Sequence, residues 1–297
     1  MGRFGSVVTA MVTPFAADGS FDRGAATDLA RWLVDNGNEA LVLAGTTGES
    51  AVLTDEERID LFRTVRAAVD VPLIAGATTN DTAHSVEMTE AAVDAGMDAI
   101  LAVVPYYNRP PQSGLEGHFR AVAAAAAGLP VMLYDVPGRT GRKLEMETTL
   151  RLARELPNVV ALKDASGVPY QTARLLAEAP EGFEVYSGDE PLSLAFAAYG
   201  AVGVVGVSSH WTGLKQRELW DAVAKNDYAT ARRINAELFP SFTYMNNDDC
   251  VFSQAVKVAM GLLGLPVGEC RLPLGPPPPD TTERARRVLA DLGYPIT

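Results

Sequence analysis

Eight short apolar runs, each followed by a segment of helical periodicity or by a long polar connection, leave this 297-residue chain few folds to adopt. The runs are Val7 to Phe15, Ala40 to Ala44, Val71 to Ala77, Ala99 to Tyr107, Pro130 to Pro137, Val159 to Leu162, Phe183 to Asp189 and Gly203 to Ser209. Near-continuous Val, Ile, Leu and Ala in runs this short is the pattern of strands buried on both faces. Helical stripes lie between them, for instance Leu29, Trp32 and Leu33, or Leu192, Ala195, Phe196 and Tyr199. Thr54 with Glu57 carries the spacing of a capping box, which predicts a helix start there. Strands separated by helices pair in parallel through right-handed crossovers, and eight such units close a barrel. A doubly wound open sheet would carry a glycine-rich phosphate loop after its first strand. The sequence there is TPFAADGS. The expected fold class is therefore α/β, a (β/α)8 TIM barrel over residues 1–225 with a C-terminal all-helical extension over 226–297.

In that extension, Tyr228, Ala231, Ile234 and Leu238 form one predicted stripe, and Val251, Ala255, Val258 and Leu262 another. The segment RLPLGPPPPD from Arg271 to Asp280 cannot be helical and reads as a stiff spacer. Asp280 and Glu283 are expected to cap a last helix. With 47% hydrophobic residues the chain has ample material for a core, and its formal charge of −12 argues against nucleic-acid and anionic-membrane partners. Cys250 and Cys270 are too few for a disulfide framework and are expected to be reduced thiols. The N-terminal residues lack the pattern of a secretory signal, and no apolar run approaches the roughly 20 residues of a membrane span. A cytoplasmic protein is the expectation.

In barrels of this kind the chemistry sits at the C-terminal ends of the strands. Those ends hold Thr13; Thr46, Thr47 and Glu49; Thr78 and Asn80; Tyr106, Tyr107 and Asn108; Tyr134, Asp135 and Arg139; Lys163, Asp164 and Ser166; Ser187 and Asp189; and Ser208, Ser209 and His210. The three histidines are scattered, with no HxH or HxxxH pair, so neither a divalent metal nor another cofactor is expected. Lys163 ends an apolar strand. It is either a structural lysine paired with Asp164 or another carboxylate, or a desolvated amine. Bringing an ordinary lysine pKa of about 10.4 to neutrality costs about 4 kcal/mol, which burial supplies, and a neutral amine attacks ketones to form a Schiff base. Around such an amine, the Thr46 and Thr47 hydroxyls suit a small carboxylate, Tyr134 and Tyr107 suit proton transfer, and Arg139 suits a second carboxylate. That is the equipment a 2-keto acid needs.

GTTGE at Gly45 to Glu49, PYYNRP at Pro105 to Pro110, YDVPGRTG at Tyr134 to Gly141, KDASG at Lys163 to Gly167 and SGDE at Ser187 to Glu190 together resemble the motifs of the pyruvate-dependent class I aldolase family, which includes N-acetylneuraminate lyase. The resemblance runs in family order from about Val7 to Leu274. It is closest to the branch that condenses pyruvate with L-aspartate 4-semialdehyde in lysine and diaminopimelate biosynthesis. It implies that Lys163 forms the Schiff base, that Tyr134 donates and accepts protons, and that Thr46 and Tyr107 complete the proton relay. Thr47 and Val205 match positions that contact pyruvate, and Arg139 matches the receiver of the semialdehyde carboxylate. The family is usually tetrameric, so the resemblance also implies a homotetramer in which Tyr107 reaches into a neighbouring subunit.

Several residues depart from the family pattern. Asp135 replaces the commoner asparagine, Asp164 the commoner glutamate, and Gly206 a serine. Some family members bind lysine at the subunit interface as a feedback inhibitor. At positions used there, often two histidines and a glutamate, this chain carries Asp55, Arg58 and His84. An ammonium ligand needs acidic partners, so lysine inhibition is expected to be weak or absent; an inhibition constant below the millimolar range would contradict this. The rival enzyme reading is a 2-keto-3-deoxy sugar-acid or sialic-acid aldolase, against which Arg139 speaks, because a polyhydroxylated chain needs hydroxyl partners rather than a guanidinium. A non-catalytic keto-acid sensor would be expected to have lost Lys163, Tyr134 or Tyr107, and all three are present.

Overall fold

The computed structural model describes residues 2–245 and 250–296. In chain order its elements begin with β1 (Val7–Ala10), α1 (Arg23–Asp35), β2 (Ala40–Leu43), α2 (Asp55–Arg66), β3 (Leu73–Gly76), α3 (Thr82–Asp94), β4 (Ala99–Val103) and α4 (Gln112–Ala125). They continue with β5 (Val131–Asp135), α5 (Pro137–Thr140), α6 (Met146–Glu155), β6 (Val159–Asp164), α7 (Tyr170–Glu178), β7 (Glu184–Ser187), α8 (Ser193–Ala198) and β8 (Gly203–Gly206). Four helices follow: α9 (Ser209–Ala224), α10 (Tyr228–Met245), α11 (Phe252–Leu262) and α12 (Thr281–Asp291). The eight strands join in sequence order into a closed parallel barrel, as the alternation predicts. Seven strands are shorter than their apolar runs, because the last residues of a run such as Val7 to Phe15 leave the ladder yet stay buried in the following loop, whereas β6 runs on past Leu162 to take in Lys163 and Asp164.

The chain resolves into two compact units, residues 1–6 with 72–205, and residues 7–71 with 206–297. In the first, β3 through β7 pair in unbroken succession, with Tyr134 opposite Lys163 and Asp135 opposite Asp164 between β5 and β6. Its N-terminal residues are tied down where Arg3 N–H donates to both carboxylate oxygens of Glu184 and Phe4 N–H to the Tyr186 hydroxyl. In α3 the apolar Val86 and Val93 are only partly buried. The buried positions are Ser85, Met88, Thr89 and Ala92. Ser85 and Thr89 bury cheaply because their hydroxyls donate to the helix's own carbonyls, Ser85 to Asp81 at 2.6 Å and Thr89 to Ser85 at 2.7 Å.

In the second unit β1 pairs with β2. The capping box of α2 forms as predicted, with Thr54 Oγ1 accepting from Glu57 N–H and the Glu57 carboxylate accepting from Thr54 N–H. His210, the strand-end histidine, is a brace: its Nε2 accepts from Val12 N–H at 3.2 Å, so Nδ1–H donates to the Val207 carbonyl at 2.7 Å. Burial pushes its pKa down to about 4, so the ring stays neutral. In α11 the predicted stripe is displaced. Ala255, Val256, Lys257, Ala259 and Met260 are buried, whereas Val258 and Leu262 are partly exposed. Asp280 precedes α12 without a side-chain capping bond and faces Arg284 at 3.6 Å instead. Both cysteines are buried and unbridged. No helix among the described residues is long and apolar enough to cross a membrane.

Gly268 marks where the extension meets the loop after β1. It holds φ +70°, and a Cβ there would lie 2.0 Å from the Phe15 carbonyl oxygen. Gly268→Ala is therefore expected to destabilise the protein by about 2 kcal/mol or more, from left-handed strain plus the clash, read as a lower midpoint in urea unfolding.

Candidate active site

Lys163 is placed by β6, whose apolar residues bury on both sides and carry the amine inward. The residue is 5% exposed. The structural alternative, an ion pair with Asp164, does not form: Lys163 Nζ lies over the Tyr134 ring, 4.2 Å from its centroid. Asp164 is engaged elsewhere, its Oδ1 accepting from Ser166 N–H at 2.8 Å and its carbonyl from Gly188 N–H at 2.7 Å. Burial pulls the Lys163 pKa down to about 7, Glu190 pulls it back up, and the Arg139 charge adds to the lowering. An aromatic face attracts an ammonium, but by about 0.5–2 kcal/mol, less than desolvation removes. The amine that results is substantially neutral near pH 7.

Tyr134 is 6% exposed and stands on β5, one strand from the amine in register. Beside it Asp135, at 2% exposure, organises the connection that follows. Its Oδ1 accepts from Leu144 N–H at 3.0 Å and its Oδ2 from Lys143 Nζ at 3.1 Å. Burial raises the Asp135 pKa while these two partners oppose the rise. The segment between the two ends of this clamp contains α5, a single turn closed by Gly141 at φ 69°. Thr140 Oγ1 donates to the Arg142 carbonyl at 2.8 Å, which tightens the exit of that turn. Arg139 rides on α5 and is exposed. The sequence reading missed both α5 and the Lys143–Asp135 contact. A four-residue helix has no periodicity to detect, and the aspartate in place of asparagine was the only visible sign.

Tyr107 sits in the loop after β4 with φ 71° and is 89% exposed, an unusual state for an aromatic residue in a left-handed conformation. Asn108 anchors the loop through its side-chain amide to the Asn80 carbonyl at 2.9 Å. Val205 on β8 is 1% exposed. These four residues, Lys163, Tyr134, Arg139 and Tyr107, belong to the first unit, as does Val205.

Thr46 and Thr47 belong to the second unit, in the loop after β2. Thr46 is exposed and Thr47 is 2% exposed. The loop is a set turn: Glu49 N–H donates to the Thr46 carbonyl at 3.1 Å, and Thr13 Oγ1 donates to the Gly48 carbonyl at 2.6 Å. Gly48 is required there, since a Cβ would fall 2.9 Å from the Met11 carbonyl. Among the described residues, no group of three or more histidine, cysteine, aspartate or glutamate side chains has the arrangement of a metal site. Nothing in the structure explains the glycine at position 206.

Residues 3–292 match the model of the dihydrodipicolinate synthetase family. The 4-hydroxy-tetrahydrodipicolinate synthase of Thermosynechococcus vestitus is 44% identical over 297 residues, covering 99% of each chain. That of Moorella thermoacetica is 45% identical over 295 residues, 98% of this chain and 99% of the relative. Among solved structures, the dihydrodipicolinate synthase of Cyanidioschyzon merolae with lysine bound superposes with a TM-score of 0.94 at 42% identity, covering 99% of both chains.

A buried amine with its pKa near 7 has a direct kinetic signature. The rate of borohydride-trapped adduct formation with pyruvate is expected to rise about tenfold from pH 6 to pH 8 and then level off, since the neutral fraction saturates above the pKa. A lysine of ordinary pKa would instead give a rise of about a hundredfold over the same range, without a plateau.

Proposed function

The chain belongs to the dihydrodipicolinate synthetase family, and on that premise we propose that it condenses pyruvate with L-aspartate 4-semialdehyde through a Schiff base on Lys163. The observation that carries the reading is the buried Lys163 amine, its pKa lowered to about 7, over the face of Tyr134. The amine adds to the ketone carbon of pyruvate and the adduct loses water to give the imine. Removal of a C3 proton then gives an enamine, which attacks the aldehyde carbon of the second substrate. The amino group of that substrate displaces Lys163 by attack on the imine carbon, closing the ring. One water is released overall, and the product is 4-hydroxy-tetrahydrodipicolinate, the branch-point precursor of lysine and diaminopimelate.

The remaining roles follow from the motif correspondence. Tyr134 moves the protons of imine formation and release, and Thr46 and Tyr107 relay them. Thr47 and Val205 contact pyruvate, and Arg139 takes the carboxylate of the semialdehyde through a charge-assisted fork. The exposure of Arg139 on a turn that the Asp135 carboxylate holds in place suits that task. Tyr107, almost wholly exposed in the single chain, suits a residue that functions against a second copy, and the family correspondence supports a homotetramer as the active form. Residues 1–225 then carry the chemistry and 226–297 support it, in the cytoplasm where the substrates are made. Lysine inhibits weakly or not at all. Arg58, at a position where an effector lysine is held in some family members, has its guanidinium buried and donating to the Ser50 carbonyl at 2.9 Å.

Turnover of pyruvate with L-aspartate 4-semialdehyde, followed by mass spectrometry of the product, tests the reading; absence of the condensation product with both substrates saturating would refute it. Arg139→Ala is expected to raise the KM for the semialdehyde by about tenfold to a hundredfold, the worth of a charge-assisted pair, and to leave the KM for pyruvate within about twofold. A sugar-acid aldolase would be indifferent to the semialdehyde in both forms.

A further inference from the structure

A lysine on the most buried face of α11 is a costly choice, and its surroundings say what it holds. Lys257 Nζ lies 2.7 Å from Glu49 Oε1, with the two side chains 3% and 1% exposed. The ammonium also donates to the Glu269 carbonyl at 3.0 Å and sits over the Phe15 ring, 4.1 Å from its centroid. The other Glu49 oxygen accepts from Arg271 N–H at 2.9 Å. From the opposite direction the Arg271 guanidinium covers Phe15, also 4.1 Å from the centroid, and donates to Gly19 and Val52 carbonyls and to both oxygens of Glu57. Phe15 N–H in turn donates to the Val267 carbonyl at 3.1 Å.

These contacts converge on one backbone feature. Glu49 closes the GTTGE loop with φ 57°, a conformation that a non-glycine residue adopts only when its surroundings hold it. Its N–H completes the turn to the Thr46 carbonyl, so the placement of Thr46 and Thr47 depends on where the Glu49 side chain is pinned. Nothing in the GTTGE turn itself supplies that pin. It comes from Lys257 and Arg271, both in the C-terminal extension. An isolated buried carboxylate would be strongly disfavoured, and a paired one is fixed in one place.

We propose that Lys257 and Glu49 are positioning residues for the pyruvate carboxylate, acting through Thr46 and Thr47 so that the C-terminal extension sets the geometry of the pyruvate-binding loop. The inference rests on the proposed function, since it assigns pyruvate to that loop. Neither residue touches substrate. The pair therefore governs how well pyruvate binds and how well Thr46 relays protons, while the burial that lowers the Lys163 pKa is left intact.

Lys257→Met alone strands a buried carboxylate and is prone to misfold, so the informative variant is Glu49→Gln combined with Lys257→Met, which removes both charges and keeps an acceptor for Arg271 N–H. It is expected to raise the KM for pyruvate about tenfold and to slow borohydride trapping at saturating pyruvate through Thr46, while the pH midpoint of trapping stays at its wild-type value and the KM for the semialdehyde stays within about twofold. A folded double variant with the wild-type KM for pyruvate overturns the proposal. Amide exchange on the wild-type chain supplies a test that needs no variant. Residues 45–49 and 267–271 are expected to open together with one common protection, and a loop that exchanges independently of 267–271 overturns the coupling. A wild-type chain that forms no adduct with pyruvate would refute the proposed function instead, and the exchange measurement would still decide whether the extension holds the loop.

Discussion

The desolvation of one amine organises the chemistry of this protein. Lys163 follows four apolar residues in β6 and is nearly inaccessible to water. The same burial that would make a lysine a liability in a core lowers its pKa to about 7, and a neutral amine near neutral pH is what the proposed Schiff-base role requires. A carboxylate partner at contact distance would have undone this by holding the proton on. Asp164 is adjacent in sequence, yet it is turned to backbone N–H groups, and the amine meets the face of Tyr134 instead. Glu190 exerts the opposing pull, which keeps the pKa from falling further.

Within each unit the fold shows a division of labour between strands and loops. Strands fix Lys163 and Tyr134 in register with little freedom. Arg139 and Thr47, proposed to meet substrate carboxylates, stand on turns, and each turn is held by a buried carboxylate. Asp135 gathers residues 143 and 144 behind the Arg139 turn, and Glu49 closes the GTTGE loop. Both carboxylates are nearly inaccessible, and each has a lysine and a backbone N–H as partners. Rigid support of a short functional turn by a buried, satisfied carboxylate is thus used on both loops.

Much of this was legible in the sequence because it depends on local pattern. Eight apolar runs predict eight strands, and a lysine, two tyrosines and an arginine at their ends predict carbonyl chemistry. The motifs predict the family, which the relatives bear out. What escaped the sequence reading depends on long-range pairing. The stripe assigned to α11 missed Lys257 because a charged residue is read as solvent-facing, while its actual partner, Glu49, lies some two hundred positions away in the chain. The buried face of α3 gave no sequence signal, because Ser85 and Thr89 count as polar in sequence but are self-satisfied in the helix. The turn carrying Arg139 is too short to announce itself as helix, and its brace is visible only once Asp135 and Lys143 are seen together.

The central claim, that burial chiefly delivers a neutral amine at Lys163, is tested most directly by following the Lys163 Cε and Nζ resonances of the substrate-free protein by NMR through a pH titration. The account predicts a single titration with a midpoint near 7, the ammonium present below it and the free amine above it. A midpoint near the ordinary lysine value of about 10.4 would contradict it and would mean that activation waits for substrate to bind.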